Sequence, residues 1–99
     1  MVKHIILWKF KDLTDEQKKE QFKLIKTNLE GLQGIVPGLE YINVQMEKLD
    51  TSNADLMLDC TFTDEEALKG YAKHPAHNAV ANQYIPPYKE TRMCIDYEI

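Results

Sequence analysis

The sequence has little of what marks disulfide-rich, metal-stapled or low-complexity proteins. Its 99 residues include two cysteines, four glycines, four prolines and one tryptophan. Two thiols as far apart as Cys60 and Cys94 form neither a disulfide framework nor a pair with metal-ligand spacing. We expect both to be buried, reduced thiols, which favours a cytoplasmic location.

Long apolar runs and an excess of basic charge are also missing. No stretch approaches the ~20 apolar residues of a membrane span, and residues 1–7 lack the small-residue cleavage site of a signal peptide. Twelve Lys and Arg residues against 16 Asp and Glu give a net charge of −4. We therefore expect neither nucleic acid nor an anionic membrane as a partner. The length suits a single domain over residues 1–99.

What is present is a regular alternation of strand and helix patterns. Strand patterns lie at residues 2–10, 39–46, 54–62 and 90–97. One helical pattern begins at the capping-box signature Thr14-x-x-Gln17 and is expected to end at Gly34. A second begins at the signature Thr63-x-x-Glu66 and is expected to end at His74-Pro75. A short helix at 76–84 then stops before Pro86-Pro87. The order βαββαβ predicts a ferredoxin-like α+β fold, an antiparallel four-stranded sheet with helices on one face.

The first strand predicts that the open face of this sheet is apolar too. His4, Ile6, Trp8 and Phe10 alternate with Ile5 and Leu7, so both sides of the strand carry apolar side chains. A large apolar face is unfavourable in water. We expect a homodimer through the open sheet face, a dimeric α/β barrel, with Ile5 and Leu7 towards the partner. The alternative is a monomer with a few exposed apolar side chains.

The segment Tyr71-Ala72-Lys73-His74-Pro75-Ala76-His77-Asn78 crowds a phenol and two imidazoles together. Histidine titrates near neutrality, with an ordinary pKa of ~6.5, so any chemistry is expected here. Plainer interpretations are a core Tyr71 with a satisfied hydroxyl, a hydrogen-bonded core His4, and a His74 imidazole at the last carbonyls of its helix. No phosphate loop, dinucleotide fingerprint or metal-ligand cluster is present, so no cofactor and no metal are expected. A zinc site formed by the three histidines is the less favoured alternative.

Several landmarks of the chain resemble the stress-responsive A/B barrel family, the Dabb domains. They are the opening Val2-Lys3-His4-Ile5-Ile6-Leu7-Trp8-Lys9-Phe10-Lys11-Asp12, Ile35-Val36-Pro37-Gly38, Phe62, Leu68-x-x-Tyr71-x-x-His74-Pro75-x-His77 and Asp96-Tyr97. The resemblance implies a dimeric α/β barrel. Plant members of the family include polyketide cyclases that close a ring by aldol condensation.

The resemblance also implies roles for particular residues. In those cyclases the last histidine of the His-Pro-x-His motif is a general base assisted by a tyrosine, which correspond here to His77 and Tyr71, with His4 nearby. The cyclases carry another tyrosine in the first helix, and residues 14–34 contain none. We expect His4, Tyr71 and His77 to line one cavity in each subunit, with Trp8 and His74 in its wall.

Two functions fit these residues. The first is a cofactor-free lyase or cyclase that acts on a small carbonyl compound through His77, Tyr71 and His4, with His77 as base and Tyr71 as hydrogen-bond donor. The second is a binding or stress-protective module that holds a small apolar ligand without converting it. A cofactor-free monooxygenase of the same architecture is a weaker third possibility.

Overall fold

The computed structural model describes residues 1–85 and 89–99. Its elements are β1 (Val2–Phe10), α1 (Asp15–Glu30), β2 (Leu39–Gln45), β3 (Leu56–Phe62), α2 (Glu65–Lys73), α3 (Pro75–Tyr84) and β4 (Lys89–Glu98). The strands form one antiparallel sheet in the order β2-β3-β1-β4. The predicted ferredoxin-like fold is confirmed. The predicted stop at Pro86-Pro87 lies outside the described residues.

Helix α1 begins at the predicted capping box. The Gln17 N–H donates to Thr14 Oγ1 at 3.1 Å, and the Thr14 N–H donates to Gln17 Oε1 at 2.9 Å, so two otherwise unpaired amides at the helix start are satisfied. The helix ends at Glu30 with Gly31 as its cap, three residues before the expected Gly34. Leu32 is nevertheless buried beyond the helix end, which is why it appeared to continue the helical stripe.

The start of α2 differs from the prediction, because Asp64 rather than Thr63 is its cap. The Ala67 N–H donates to Asp64 Oδ1 at 2.8 Å. Thr63 instead donates its backbone N–H to the Gly38 carbonyl at 3.0 Å. Gly38 has φ +79, and a Cβ there would lie 2.5 Å from the Ala67 Cβ. The predicted Pro37-Gly38 turn therefore requires glycine and seats the start of β2 against α2.

The two faces of the sheet are covered to different extents. His4, Ile6, Trp8 and Phe10 are buried under the helices. Helix coverage does not extend over β4, where every residue from 90 to 99 is exposed. The open face carries exposed apolar side chains with fractional exposures from 39% to 65%, namely Leu7, Tyr41, Met93, Ile95 and Tyr97. Ile5 and Leu7 lie on this face, as the alternation predicts.

A membrane-spanning helix is not found in the described part of the chain, because none of its helices combines the necessary length with the necessary apolarity.

Candidate functional site

The segment from Tyr71 to His77 folds as two helices that meet at one residue. His74 is both the C-cap of α2 and the N-cap of α3, and Pro75 is the first residue of α3. The His74 N–H donates to the Tyr71 carbonyl, while the Ala76 N–H donates to His74 Nδ1 at 3.1 Å. The imidazole therefore caps the helix that follows and does not meet the carbonyls of the helix that ends. The His74 ring is committed to this contact and lines neither main cavity, so the structure does not bring His74 together with the other predicted site residues.

The change of direction at His74 brings Tyr71 and His77 together. Their ring centroids are 4.3 Å apart, with an angle of 47° between the ring planes. Tyr71 is buried and His77 is half-buried. Both side chains line one cavity of about 410 Å³ between the helices and the sheet, which we call the Tyr71 cavity.

The Tyr71 cavity has mostly apolar walls with a few polar groups. The apolar side chains are Ile6 and Leu58 from the sheet, Leu29 from α1, Ala81 from α3, and Ile85. The polar side chains are Trp8, Tyr71, His77, Asn82 and Arg92. An apolar cleft with a few convergent polar groups is the usual form of a small-molecule site. The prediction of Trp8 as a wall residue agrees with this lining.

Two hydrogen-bond donors of this cavity are buried without an oxygen or nitrogen partner among the described residues. They are Trp8 Nε1 and the Tyr71 hydroxyl. A buried polar group without a hydrogen bond costs about 1–3 kcal/mol, so each favours a ligand that offers an acceptor. Burial, together with the adjacent Cys60 thiol, raises the pKa of Tyr71 well above its ordinary value. The phenol therefore remains a donor at neutral pH. The neighbour of the hydroxyl is the Cys60 thiol, which is only a weak hydrogen-bond acceptor.

His77 is held as a neutral imidazole. Burial lowers its pKa, a contact with Asn78 partly offsets this, and the nearby His4, Arg92 and His74 lower it further. His77 Nδ1 lies 3.3 Å from Asn78 Oδ1. When Nδ1 carries the hydrogen and donates it there, Nε2 keeps the lone pair that a base requires.

His4 is buried on the helix side of the sheet but lines a neighbouring cavity of about 660 Å³, which we call the His4 cavity. Its Nδ1 lies 2.5 Å from Asp96 Oδ1, and its ring is edge-on to the Tyr71 ring at 6.0 Å. His4 is a hydrogen-bonded core histidine, as the plainer interpretation holds. Of the three residues expected in one cavity, the structure brings Tyr71 and His77 together and turns the His4 ring towards β4, into the adjoining cavity.

Sequence reasoning missed three residues of β4. Arg92 lines both cavities and makes no ion pair within residues 1–85 and 89–99. Cys94 and Asp96 lie beside His4. Cys94 is exposed, which corrects the expectation of a buried thiol, whereas Cys60 is buried. Alternation along β4 places the three residues on one face, but the register that pairs Asp96 with His4 is not visible in the sequence.

The antiparallel sheet and the helical layer define a ferredoxin-like α+β domain with a cavity between the two layers. The family model Stress responsive A/B Barrel Domain, Dabb, matches residues 2–99. The chain belongs to the Dabb family.

Relatives of the chain include an enzyme and proteins of known structure. Olivetolic acid cyclase from Cannabis sativa is 28% identical over 96 residues, which cover 97% of this chain and 94% of that one. A dimeric protein of unknown function and ferredoxin-like fold from Bacteroides fragilis is 30% identical, with a TM-score of 0.90 and coverage of 99% and 95%. Hydroxynitrile lyase from Passiflora edulis shares the fold at 17% identity, with a TM-score of 0.73 and coverage of 99% and 92%.

Proposed function

We propose that the protein is a cofactor-free lyase or cyclase that removes a proton next to a carbonyl group in the Tyr71 cavity. One observation carries the proposal. A buried phenol without an oxygen or nitrogen partner among the described residues faces the same cavity as a neutral imidazole, with ring centroids 4.3 Å apart. Such a pair can supply both a base and an electrophilic donor.

The proposed reaction begins with His77. Nε2 takes a proton from the carbon between two carbonyl groups, and the electron pair moves onto a carbonyl oxygen as an enolate. The Tyr71 hydroxyl donates a hydrogen bond to that oxygen, where the negative charge develops. The enolate carbon then bonds to a second carbonyl carbon of the same molecule, and the new alkoxide receives the proton from the His77 imidazolium. No metal, oxidant or reductant takes part.

The cavity lining indicates which carbonyl compounds would fit. Ile6, Leu29 and Leu58 suit a short apolar chain. Trp8 Nε1 offers a second unpartnered donor. The guanidinium of Arg92 is the permanent positive charge in the lining, so we propose a substrate with a carboxylate. Guanidinium groups bind carboxylates through paired hydrogen bonds.

The relative named olivetolic acid cyclase supports ring closure as the reaction. The two chains need not share a substrate, because residues 14–34 contain no tyrosine here and α1 presents Leu29 to the cavity. His4 serves in this proposal as a positioning residue, because its ring packs edge-on against the Tyr71 ring from the adjacent cavity.

The test measures proton abstraction directly. The protein is incubated in deuterated buffer with β-keto and β,δ-diketo acids of graded chain length, and mass spectrometry follows α-deuteration and ring closure above the buffer rate. His77→Ala should lower the rate by about 10²- to 10⁴-fold, the usual contribution of a general base. His74→Asn is the matched control, because asparagine can still cap α3 and residue 74 lies outside the cavity.

Two results would count against the enzyme. Undiminished turnover in His77→Ala removes His77 as the base. Saturable binding of these acids without any exchange favours the alternative, a module that holds a small ligand without converting it.

We also propose that the chain forms a homodimer through its open sheet face. Met93, Ile95 and Tyr97 are 45% to 65% exposed on this face, and the Bacteroides fragilis relative is dimeric. Burying such a patch is the main driving force for association. Light scattering at micromolar concentration should give twice the 11.5 kDa chain mass, and Ile95→Lys should give the single chain. A single-chain mass for the unaltered protein would refute the dimer.

We also propose a cytoplasmic location. Both cysteines are free thiols, as is usual in a reducing compartment.

A further inference from the structure

A second group of reactive side chains lies where β1 and β4 pair, outside the Tyr71 cavity. The antiparallel register places His4 opposite Asp96, and Cys94 lies two residues earlier on the same face of β4. His4 Nδ1 is 2.5 Å from Asp96 Oδ1 and 3.6 Å from Cys94 Sγ. Cys94 Sγ is 3.5 Å from Asp96 Oδ1. One nitrogen, one sulfur and one oxygen therefore converge from two adjacent strands.

These separations approach those of a tetrahedral metal site. With metal–ligand bonds of roughly 2.0–2.3 Å, ligand atoms around zinc lie about 3.3–3.6 Å from one another. Both distances to Cys94 Sγ already have this value. The distance between His4 and Asp96 has to widen by about 1 Å, which rotation of the exposed Asp96 side chain allows. We propose that His4, Cys94 and Asp96 bind one divalent ion of the zinc class, with water as the fourth ligand.

The donor set selects this class of metal. A thiolate and an imidazole favour zinc-like ions, whereas magnesium and calcium prefer oxygen ligands alone. Binding releases the Cys94 thiol proton to solvent, and His4 binds through Nδ1 as a neutral imidazole with its hydrogen on Nε2. No electron is transferred. Three protein ligands and one open position are typical of reactive rather than structural zinc sites.

The surroundings provide one fixed ligand and an open path to it. His4 is buried, and its ring is held between Phe62 and Tyr71 with centroid distances of 6.3 and 6.0 Å. Cys94 and Asp96 are exposed and line the His4 cavity together with Glu65 and Glu98. The buried imidazole is thus positioned before the ion arrives, and two further carboxylates border the approach.

The metal site uses neither Tyr71 nor His77, and it touches the proposed reaction only through the His4 ring, which packs against Tyr71. Residue spacing along the chain does not predict this site. Its nitrogen and oxygen ligands are 92 positions apart, and only strand pairing brings them together.

The experiment titrates the metal-stripped full-length protein with Co²⁺, which reports thiolate ligation by absorption. We expect one cobalt ion per chain, a thiolate-to-cobalt charge-transfer band in the near ultraviolet, and strong visible bands of tetrahedral cobalt. Both sets of bands should disappear when added Zn²⁺ displaces the cobalt. Cys94→Ser should abolish the charge-transfer band. Asp96→Asn should weaken cobalt binding by about tenfold or more. Both positions are exposed, so the variants should fold.

Two controls locate the bound ion. Cys60 lies on β3, where it is the strand-pairing partner of His4. Cys60→Ala removes this buried thiol and should leave the charge-transfer band intact. His77→Ala should also leave it intact. Absence of the band in the unaltered protein, or its survival in Cys94→Ser, would overturn the proposal.

Discussion

The Tyr71 cavity and the His4 cavity adjoin each other, share Arg92, and differ in how their polar groups are satisfied. In the first cavity, the Tyr71 hydroxyl and Trp8 Nε1 are buried in an apolar wall without an oxygen or nitrogen partner among the described residues. In the second, His4 and Asp96 are hydrogen-bonded to each other beside an exposed thiol. The first therefore favours a ligand with hydrogen-bond acceptors, whereas the second offers acceptors of its own and favours a cation.

The difference follows from where the helices lie. The α1, α2 and α3 layer covers β1 and β3, so polar atoms there are cut off from water. It leaves β4 open, so Cys94 and Asp96 remain accessible. His4 stands between the two regions, buried with its ring turned towards the exposed strand.

Arg92 offers the sharpest way to test this contrast, because it lines both cavities. Arg92→Met removes the charge and keeps much of the stem. Affinity of the Tyr71 cavity for a β-keto acid should fall by about 10- to 100-fold, the value of a hydrogen bond to a charged group. Affinity of the His4 cavity for Co²⁺ should rise a few-fold, because a nearby positive charge is removed. Calorimetry with the acid and absorption with cobalt measure the two effects.

The control is Lys69→Met, since Lys69 lines only the His4 cavity. It should leave binding of the acid unchanged. The methyl ester of the acid should bind equally to the unaltered protein and to Arg92→Met. Equal loss for acid and ester would mean that Arg92 shapes the cavity rather than pairing with a carboxylate.

Tyr71→Phe separates the catalytic role of the phenol from its effect on folding stability. The substitution keeps the ring and removes a buried hydroxyl that has no oxygen or nitrogen partner among the described residues. The free energy of unfolding should rise by about 1 kcal/mol, because the unpaired group is deleted, while the rate of α-deuteration falls. Urea unfolding and the exchange assay measure the two quantities. A stability loss similar to that of an ordinary core truncation would show that the hydroxyl is satisfied in solution.

The local features of this fold could be predicted from the sequence. The alternation in β1 gave the buried side of His4 and Trp8, and the Thr14 capping box gave the start of α1. Both depend on neighbouring residues. The choice of Asp64 over Thr63 as the second cap could not be predicted, because the Thr63 amide pairs with Gly38, a contact that only the folded chain provides.

The two cavities also differ in how far the sequence predicts them. Tyr71 and His77 are six positions apart, and the two short helices that meet at His74 bring them together. The roles of Arg92, Cys94 and Asp96 depend instead on the pairing register of β1 with β4. Shifting that register by one residue would turn Asp96 to the other face, and composition and spacing do not determine it.

The smallest expected effect is a pH dependence that belongs to His77. Burial lowers the pKa of His77 below its ordinary 6.5, so between the folded and unfolded values the unfolded chain binds more protons. Folding stability should therefore rise with pH through the window just below 6.5, and should fall on acidification through it. Only the neutral imidazole is a base, so the rate of α-deuteration should rise with pH in the same window.

His77→Gln isolates this contribution, because all the other side chains are the same in the two proteins and their effects cancel in the difference. Urea unfolding at a series of pH values should show a smaller acid-induced loss of stability in the variant. Partial exposure of His77 keeps the difference small, since solvent screens a half-buried charge. If the rate rises only above pH 6.5, or if the two proteins lose stability equally, His77 is not the buried neutral base of the Tyr71 cavity.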